Sequence, residues 1–509
     1  MLQGLHMFGE ALLGFLNFRN IFDVLWSTQL GIIIGMLPGL TATMGIALLT
    51  TLTFKMAANN AIIILICMYV GAIYGGSRSA ILLNIPGTPA NAATCVDGYP
   101  LAKQGLAGRA IGIATTGSFL GSVIGMLFLA TMTPLLGSIA FEFKSYEMFW
   151  FAIFGIIICG NLTAPKQPIK GWIAGFIRRL ICMVGMEGRW SYPRFSFGSV
   201  ELSGGVALIP AMVGAFGFAE IIAVMKHPVM ENVSTKIDRV WPRLTDITRY
   251  WKTIIRSGIV GTIIGIIPGV GEDTAAWVSY DLAKRSSKEK EKFGHGSIEG
   301  LIASETGNNA CVPGAIIPVL TLAVPGSAPA AVLLGAMLIH GVHPGPMIMQ
   351  ESPTFISEVV AMVFLATVAM FVLGMSLVRP LVKVLQVPRS KLMPIVFILC
   401  MVGSFAIQQR FFDIGVMVVF GIIGYFMREM DYPMAPMVLG IVLGDILDKN
   451  LRRALVISGG NPIRFFDTPV SIILIALTVL VVAARTKWFA AGWAAAGGAL
   501  TGLFRKKAS

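Results

Sequence analysis

The chain has 509 residues, of which 55% are hydrophobic and 13% charged, with a mean hydropathy of +0.78 and a net charge of +13. A soluble domain carries about twice that charged fraction, so a sizeable soluble domain is excluded and an all-α polytopic membrane protein is expected. The basic residues are spread over short loops, as in cytoplasmic loops that follow the positive-inside rule, and they form no basic face for nucleic acid.

In chain order, residues 2–17 read as an interfacial helix, because Glu10 interrupts an apolar run. The start, Met1 to His6, lacks the positive flank of a cleavable signal peptide. A first span is expected over 21–37, ending in Gly31-Ile-Ile-Ile-Gly35-Met-Leu-Pro38-Gly39. Apolar segments follow at 40–54 and 58–75, then a broken stretch at 76–96 around Asn84-Ile85-Pro86-Gly87-Thr88-Pro89. Spans are expected at 109–135, 146–163, 166–186 and 203–225, and then a basic connector at 226–251.

After the connector the pattern restarts. Gly261-Thr-Ile-Ile-Gly265-Ile-Ile-Pro268-Gly269 repeats the earlier spacing at an offset of 230 residues. A second broken stretch, Val324-Pro325-Gly326-Ser327-Ala328-Pro329, repeats the first at an offset of 239, and Tyr432-Pro433 repeats Tyr192-Pro193 at 240. The organisation is therefore an N-terminal segment (1–19), membrane repeat 1 (20–225), the connector (226–251), membrane repeat 2 (252–455), and C-terminal spans with a basic tail (456–509). Two further spans are expected near 468–484 and 488–504. At roughly 20 apolar residues per span, the chain holds about twelve transmembrane helices plus the broken, re-entrant hairpins.

Loop charge indicates how the repeats are oriented. The loop after the Pro-Gly segment carries Lys284, Arg285, Lys288, Lys290 and Lys292 in repeat 2, but only Lys55 in repeat 1. After the broken stretch the bias reverses: repeat 1 has Lys103 and Arg109, and His340 to Pro353 in repeat 2 has neither Lys nor Arg. Opposite bias at equivalent loops is expected of inverted repeats.

The broken stretches carry the chemistry. Backbone broken at membrane depth is tolerated beside a buried or water-filled site. Pro86 and Pro325 interrupt helical hydrogen bonding, and Gly87 and Gly326 permit a reversal. Thr88 and Ser327 are then candidate N-caps of new helices. Two helix N-termini meeting in low dielectric suit an anion with several carboxylates. The alternative is a pair of kinked helices with no ligand. Substrate contacts are thus expected at Asn84, Pro86, Gly87, Thr88, Pro325, Gly326 and Ser327. Arg78 could grip a carboxylate, snorkel, or pair with Asp97, and Asn308 and Asn309 could face the same cavity or satisfy broken backbone. Near the Pro-Gly turns, Thr41, Thr43, Glu272 and Asp273, with Glu305 further along, form a candidate coupling-ion site; two adjacent acids at membrane depth bind a cation, titrate, or sit in water. The other reading of the acids is a capping cluster at the membrane edge.

The six cysteines are scattered singly, with no metal spacing and no disulfide framework. No P-loop, HExxH or Gly-x-Ser-x-Gly motif occurs, so neither ATP-driven transport from within this chain nor an enzyme is expected, and no cofactor. At Gly35-Met-Leu-Pro-Gly39, Tyr74-Gly-Gly-Ser77 through Pro89, Asp97-Gly-Tyr-Pro100, and Pro318 through Pro346, the chain resembles the TctA-like large membrane subunit of the tripartite tricarboxylate transporter family. The resemblance covers nearly the full length. It implies a bacterial inner-membrane secondary carrier of carboxylates, coupled to Na+ or H+. It also implies two partners, a small TctB-like membrane subunit and a TctC-like periplasmic binding protein. An anion-selective channel, a non-transporting membrane scaffold and an intramembrane enzyme are the other classes.

Overall fold

The computed structural model describes residues 2–37, 39–140, 142–163, 169–174, 183–186, 192–226, 237–385, 389–432 and 434–483. The expected span at 488–504, most of the one at 166–186, and Pro38 and Pro433 lie outside the described residues. Regular structure among the described residues is helical apart from one small hairpin, Gly185–Met186 paired with Pro193–Arg194. Among the described residues, five helices are long and apolar enough to cross a membrane: Ala58–Leu83, Ala107–Ala140, Ile209–Lys226, Phe355–Ser376 and Phe411–Glu429. Ala42–Thr53, Ser145–Ile158, Ala328–Ile339, Leu392–Ala406 and Pro469–Ala483 are apolar but shorter. The chain is an all-helical, multi-pass membrane protein.

Phe18–Met36 packs on Ala58–Leu83, and Trp251–Ile266 packs on Ile298–Leu322. Both pairs touch backbone to backbone. A Cβ on Gly35 would overlap the Ala72 carbonyl, and a Cβ on Gly261 would overlap that of Gly307. The Gly-xxx-Gly spacing is thus a packing device, small residues letting helix backbones approach where no hydrophobic force drives them together. Between these pairs lie Ala42–Thr53 and Gly271–Ser286, too short to span, each entered through a glycine of positive φ (Gly39 at 96° and Gly269 at 74°).

The two long inner helices are wholly enclosed. Residues 61–82 and 300–321 are buried along their entire length. That explains their weak amphipathicity, since a helix hydrophobic all round belongs inside. Around them pack Ala107–Ala140 and Phe355–Ser376, and the N-terminal helix Leu2–Phe15 lies along the latter with the Phe8 and Phe364 rings 6.0 Å apart.

Each end of the molecule brings together loops from both halves of the chain. At the basic end, one Asp97 carboxylate oxygen accepts the amides of Gly294 (2.8 Å), Gly296 (3.0 Å) and Ser297 (2.8 Å), and Gln104 Nε2 donates to His295 O at 3.0 Å. Asp97 therefore clamps the turn that starts the Ile298–Leu322 helix, with charge-assisted bonds. The connector docks at the same end. Arg109 forks onto Asp246 at 2.6 and 3.0 Å. Burial alone would raise the Asp246 carboxyl; the Arg109 and Arg243 hydrogen bonds and charges override it and hold it below the usual carboxylate range. At the opposite end, Thr53 meets His340 (3.4 Å) and Asn59 donates to Glu358 (2.9 Å).

Candidate functional site

The broken stretches are hairpins of matching geometry. Ala58–Leu83 ends at Asn84, whose φ is 58°, and Ile298–Leu322 ends at Ala323, whose φ is 55°. A left-handed residue with a proline shortly after is a common helix end. The reversal expected at Gly87 and Gly326 therefore falls earlier, ahead of Pro86 and Pro325. The two glycines serve another need: a Cβ on Gly87 would overlap the Gly35 carbonyl, and one on Gly326 would overlap that of Gly265. Their amides reach back to Gly76 O (3.5 Å) and Ala315 O (3.4 Å). All of these pairs sit at the repeat offsets read from the sequence.

Beyond the tips the chain restarts helix. Ser327 caps Ala328–Ile339, its hydroxyl accepting the Ala330 amide at 3.3 Å. Thr88 differs. Its hydroxyl donates to Asn91 Oδ1 at 2.6 Å instead of accepting an amide, and a 3-10 turn, Pro89–Asn91, leads into Ala92–Lys103. The Pro-Gly turns restart helix too: Thr41 caps Ala42–Thr53, accepting the Met44 amide at 3.2 Å, and Gly271–Ser286 opens with Glu272 and Asp273 in its first turn.

Four helix starts, two from each half of the chain, converge on one cavity of about 330 Å³. Thr41, Ala42, Thr43, Thr88, Pro89 and Ala90 form one wall, Gly269 through Asp273 with Ala328 and Pro329 form the other, and Ile73 and Phe216 complete it. Residues expected at a substrate site and residues expected at an ion site thus share a single cavity. Its size suits a small molecule. Opening amides of helices have no partner within their own helix and lie at the positive end of the dipole, so they favour an anion. Among the residues lining the cavity there is no Lys, Arg or His, while Glu272 and Asp273 supply two carboxylates.

Each tip hydroxyl is tied to a buried carboxylate. Ser327 Oγ lies 2.6 Å from Tyr69 Oη, which donates to Glu272 Oε1 in the cavity wall. Thr88 leads through Asn91 to Glu305. Glu305 is fully buried behind the cavity and accepts from Ser77 and Ser118 (2.8 Å each) and from Thr94. Asn309 donates to Ser118 (2.9 Å) and to Asn308 Oδ1 (2.6 Å), and Asn308 donates to Ala90 O at 3.4 Å. Glu305, Asn308 and Asn309 therefore stand one layer behind the wall.

Other expected contacts lie elsewhere. Asn84 is exposed, and Pro86, Gly87, Pro325, Gly326 and Ser327 shape the tips without lining the cavity. Arg78 is 1% exposed, donates to Gly374 O at 2.7 Å, and lies 4.7 Å above the Tyr74 ring. It neither snorkels nor pairs with Asp97, which is committed to the 294–297 turn. Tyr69 and Phe216 were not legible as site residues from motifs. The repeat offset held a signal for Tyr69, which occupies the position matching Asn308. Phe216 lies in a π-helical turn, Val213–Phe218, and such turns often mark functional positions.

This fold is that of a multi-pass membrane protein with a solute-sized cavity between two helix breaks. The chain belongs to the Tripartite tricarboxylate transporter TctA family, whose profile matches residues 21–439, and it is thereby a membrane component of a tripartite tricarboxylate transporter. An uncharacterized 52.8 kDa protein in the TAR-I ttuC' 3'region of Agrobacterium vitis is 34% identical over 469 residues, covering 91% of this chain and 93% of the relative. An uncharacterized protein in the TAR-II ttuC' 3'region of the same organism is 34% identical over 222 residues, 44% of this chain and 92% of the relative. No solved structure matches.

Proposed function

We propose that this chain is the carrier subunit that imports a di- or tricarboxylate anion across the bacterial inner membrane, and that the cavity between the hairpin tips is its binding site. The observation that carries this reading is the convergence of four helix starts, two per repeat, on one cavity. Cation coupling is supported by charge. Glu272 and Asp273 face the same space with no basic side chain beside them, and each like-charge pair at 4 Å costs about 4 kcal/mol at an effective dielectric of 20. An anionic cargo is then accepted only with a proton or metal cation alongside. In this reading a periplasmic TctC-like binding protein delivers the carboxylate and a small TctB-like subunit completes the membrane complex.

About twelve spans in two inverted repeats would place the cavity between alternately exposed faces. The inversion is supported by loops meeting at each end: Asp97 with Gly294 where basic residues cluster, Thr53 with His340 where Lys55 is the one Lys or Arg of the two loops. Single cysteines at Lys55 and Lys288 should react with an impermeant reagent from opposite sides, and labelling of both from one side would defeat the inversion.

The function is tested by thermal shift of the purified chain against a panel of mono-, di- and tricarboxylates. Uptake and counterflow in proteoliposomes with both partner subunits follow; a channel shows no counterflow. Thr88→Trp and Ser327→Trp should abolish binding and uptake while the protein still inserts. Unchanged uptake in both variants would remove the cavity as the site.

A further inference from the structure

We infer that Tyr69 is the positioning residue that couples the charge state of Glu272 to the binding power of Ser327. This rests on the reading of the cavity as a cation-coupled carboxylate site and names the link between its two halves. Four groups lie in a row: the Ala330 amide, Ser327 Oγ at 3.3 Å from it, Tyr69 Oη at 2.6 Å from that, and Glu272 Oε1. All three side chains are buried, Tyr69 completely, and of the three only Glu272 lines the cavity.

A phenol has one proton and sits here between two oxygens, so it donates to only one of them. With Glu272 ionised, Tyr69 donates to the carboxylate and Ser327 donates to Tyr69. The Ser327 proton is then consumed inside the protein. With Glu272 protonated, the directions reverse. The acid takes one proton from the cavity and its new O–H donates to Tyr69 Oη. Tyr69 turns its own proton to Ser327 Oγ, which keeps accepting the Ala330 amide. The Ser327 proton is released from Tyr69 and can turn towards the cavity wall at Gly271, whose position lies against Ser327 Cβ. One proton is gained, the only new bond is the O–H on Glu272, and a hydrogen-bond donor is freed directly behind the cavity wall, next to Ala328 and Pro329.

The titratable groups facing Glu272 are Asp273 on its own helix, Tyr69 on Ala58–Leu83 and Cys311 on Ile298–Leu322, with no basic group among them. The arrangement exists on one side of the cavity only. At the repeat offsets, Ala42 stands where Glu272 does and Asn308 where Tyr69 does. The other tip hydroxyl, Thr88, is already engaged with Asn91. One relay per cavity gives one proton per anion through this path.

The test uses the purified full-length chain and two readouts. In infrared difference spectra across a pH jump, the wild type should show a carboxylic-acid carbonyl band that Glu272→Gln removes. Tyr69→Phe should keep the band and move it to higher wavenumber, because the acid has lost its acceptor; an unmoved band overturns the relay. Ser327→Ala, which leaves the ring in place, should perturb the same band less. In the second readout, citrate is the probe, and proton uptake on binding is measured in weakly buffered solution. About one proton per citrate is expected for the wild type and clearly less for Tyr69→Phe, in which only the direct repulsion between citrate and the acids remains; equal uptake in both overturns the proposal. If citrate and the rest of the carboxylate panel fail to bind the wild type, the cargo assignment fails while the infrared band still decides the relay.

Discussion

Glu305→Leu should lower the stability of the purified protein by about 2–6 kcal/mol, from about 1–3 kcal/mol for each hydroxyl left without an acceptor in a dry site. Thr94 and Ser118 lose their acceptor, and Asn91 loses a weaker contact. Ser77 has a second acceptor in Tyr74 O at 2.7 Å and is spared. Glu305→Gln retains the shape and one accepting oxygen, so its cost should be the smaller. Thermal unfolding in detergent measures both. Equal midpoints for the Leu and Gln variants would show that the carboxylate does not organise these hydroxyls.

Gly326→Val should be at least as damaging. The added carbons meet the Gly265 carbonyl and the Ala315 Cα, both backbone atoms with nowhere to move. Overpacking of this kind costs about 1–3 kcal/mol where side chains can give and more where they cannot. The folded yield should fall, and the protein that survives should lose uptake, because the tip is displaced from the cavity. Gly87→Val should behave in the same way. Gly415, in the Phe411–Glu429 helix with open space around it, is the control: Ala there should be neutral or stabilising, since Gly costs about 1 kcal/mol in a helix interior. A Gly326→Val variant as stable and active as the control would remove close packing as the reason for this glycine.

Much of this was legible in the chain before its structure. Spacing of Gly, Pro and hydroxyl residues located both helix breaks and both Pro-Gly turns, because those residues act on local backbone wherever they stand. Cavity membership was less legible. Thr88, Glu272 and Asp273 face the cavity, whereas Asn84 and Arg78 point elsewhere, and only rotation about the helix axis separates the two outcomes. Helices buried all round give no amphipathic stripe from which to read that rotation. Tyr69 was hidden for the same reason, as one aromatic in an apolar run. The joining of anion-type and acid-bearing segments into one cavity depends on contacts between residues more than 200 positions apart, such as Tyr69 with Glu272, which no local pattern encodes.

The long reach of those contacts bears on how the protein is made. Ser118 and Glu305 are 187 residues apart, and at about 5–20 residues per second the ribosome needs about 10–40 s to travel between them. Throughout that interval the hydroxyls of Thr94 and Ser118 are already synthesised and their acceptor is not. Tyr69 waits longer still, for residues 272 and 327. The newborn first half therefore carries unmatched polar groups into lipid, where bare hydroxyls are costly. Its helices have reason to stay near the insertion machinery, loosely gathered, until the second half emerges to close the bundle.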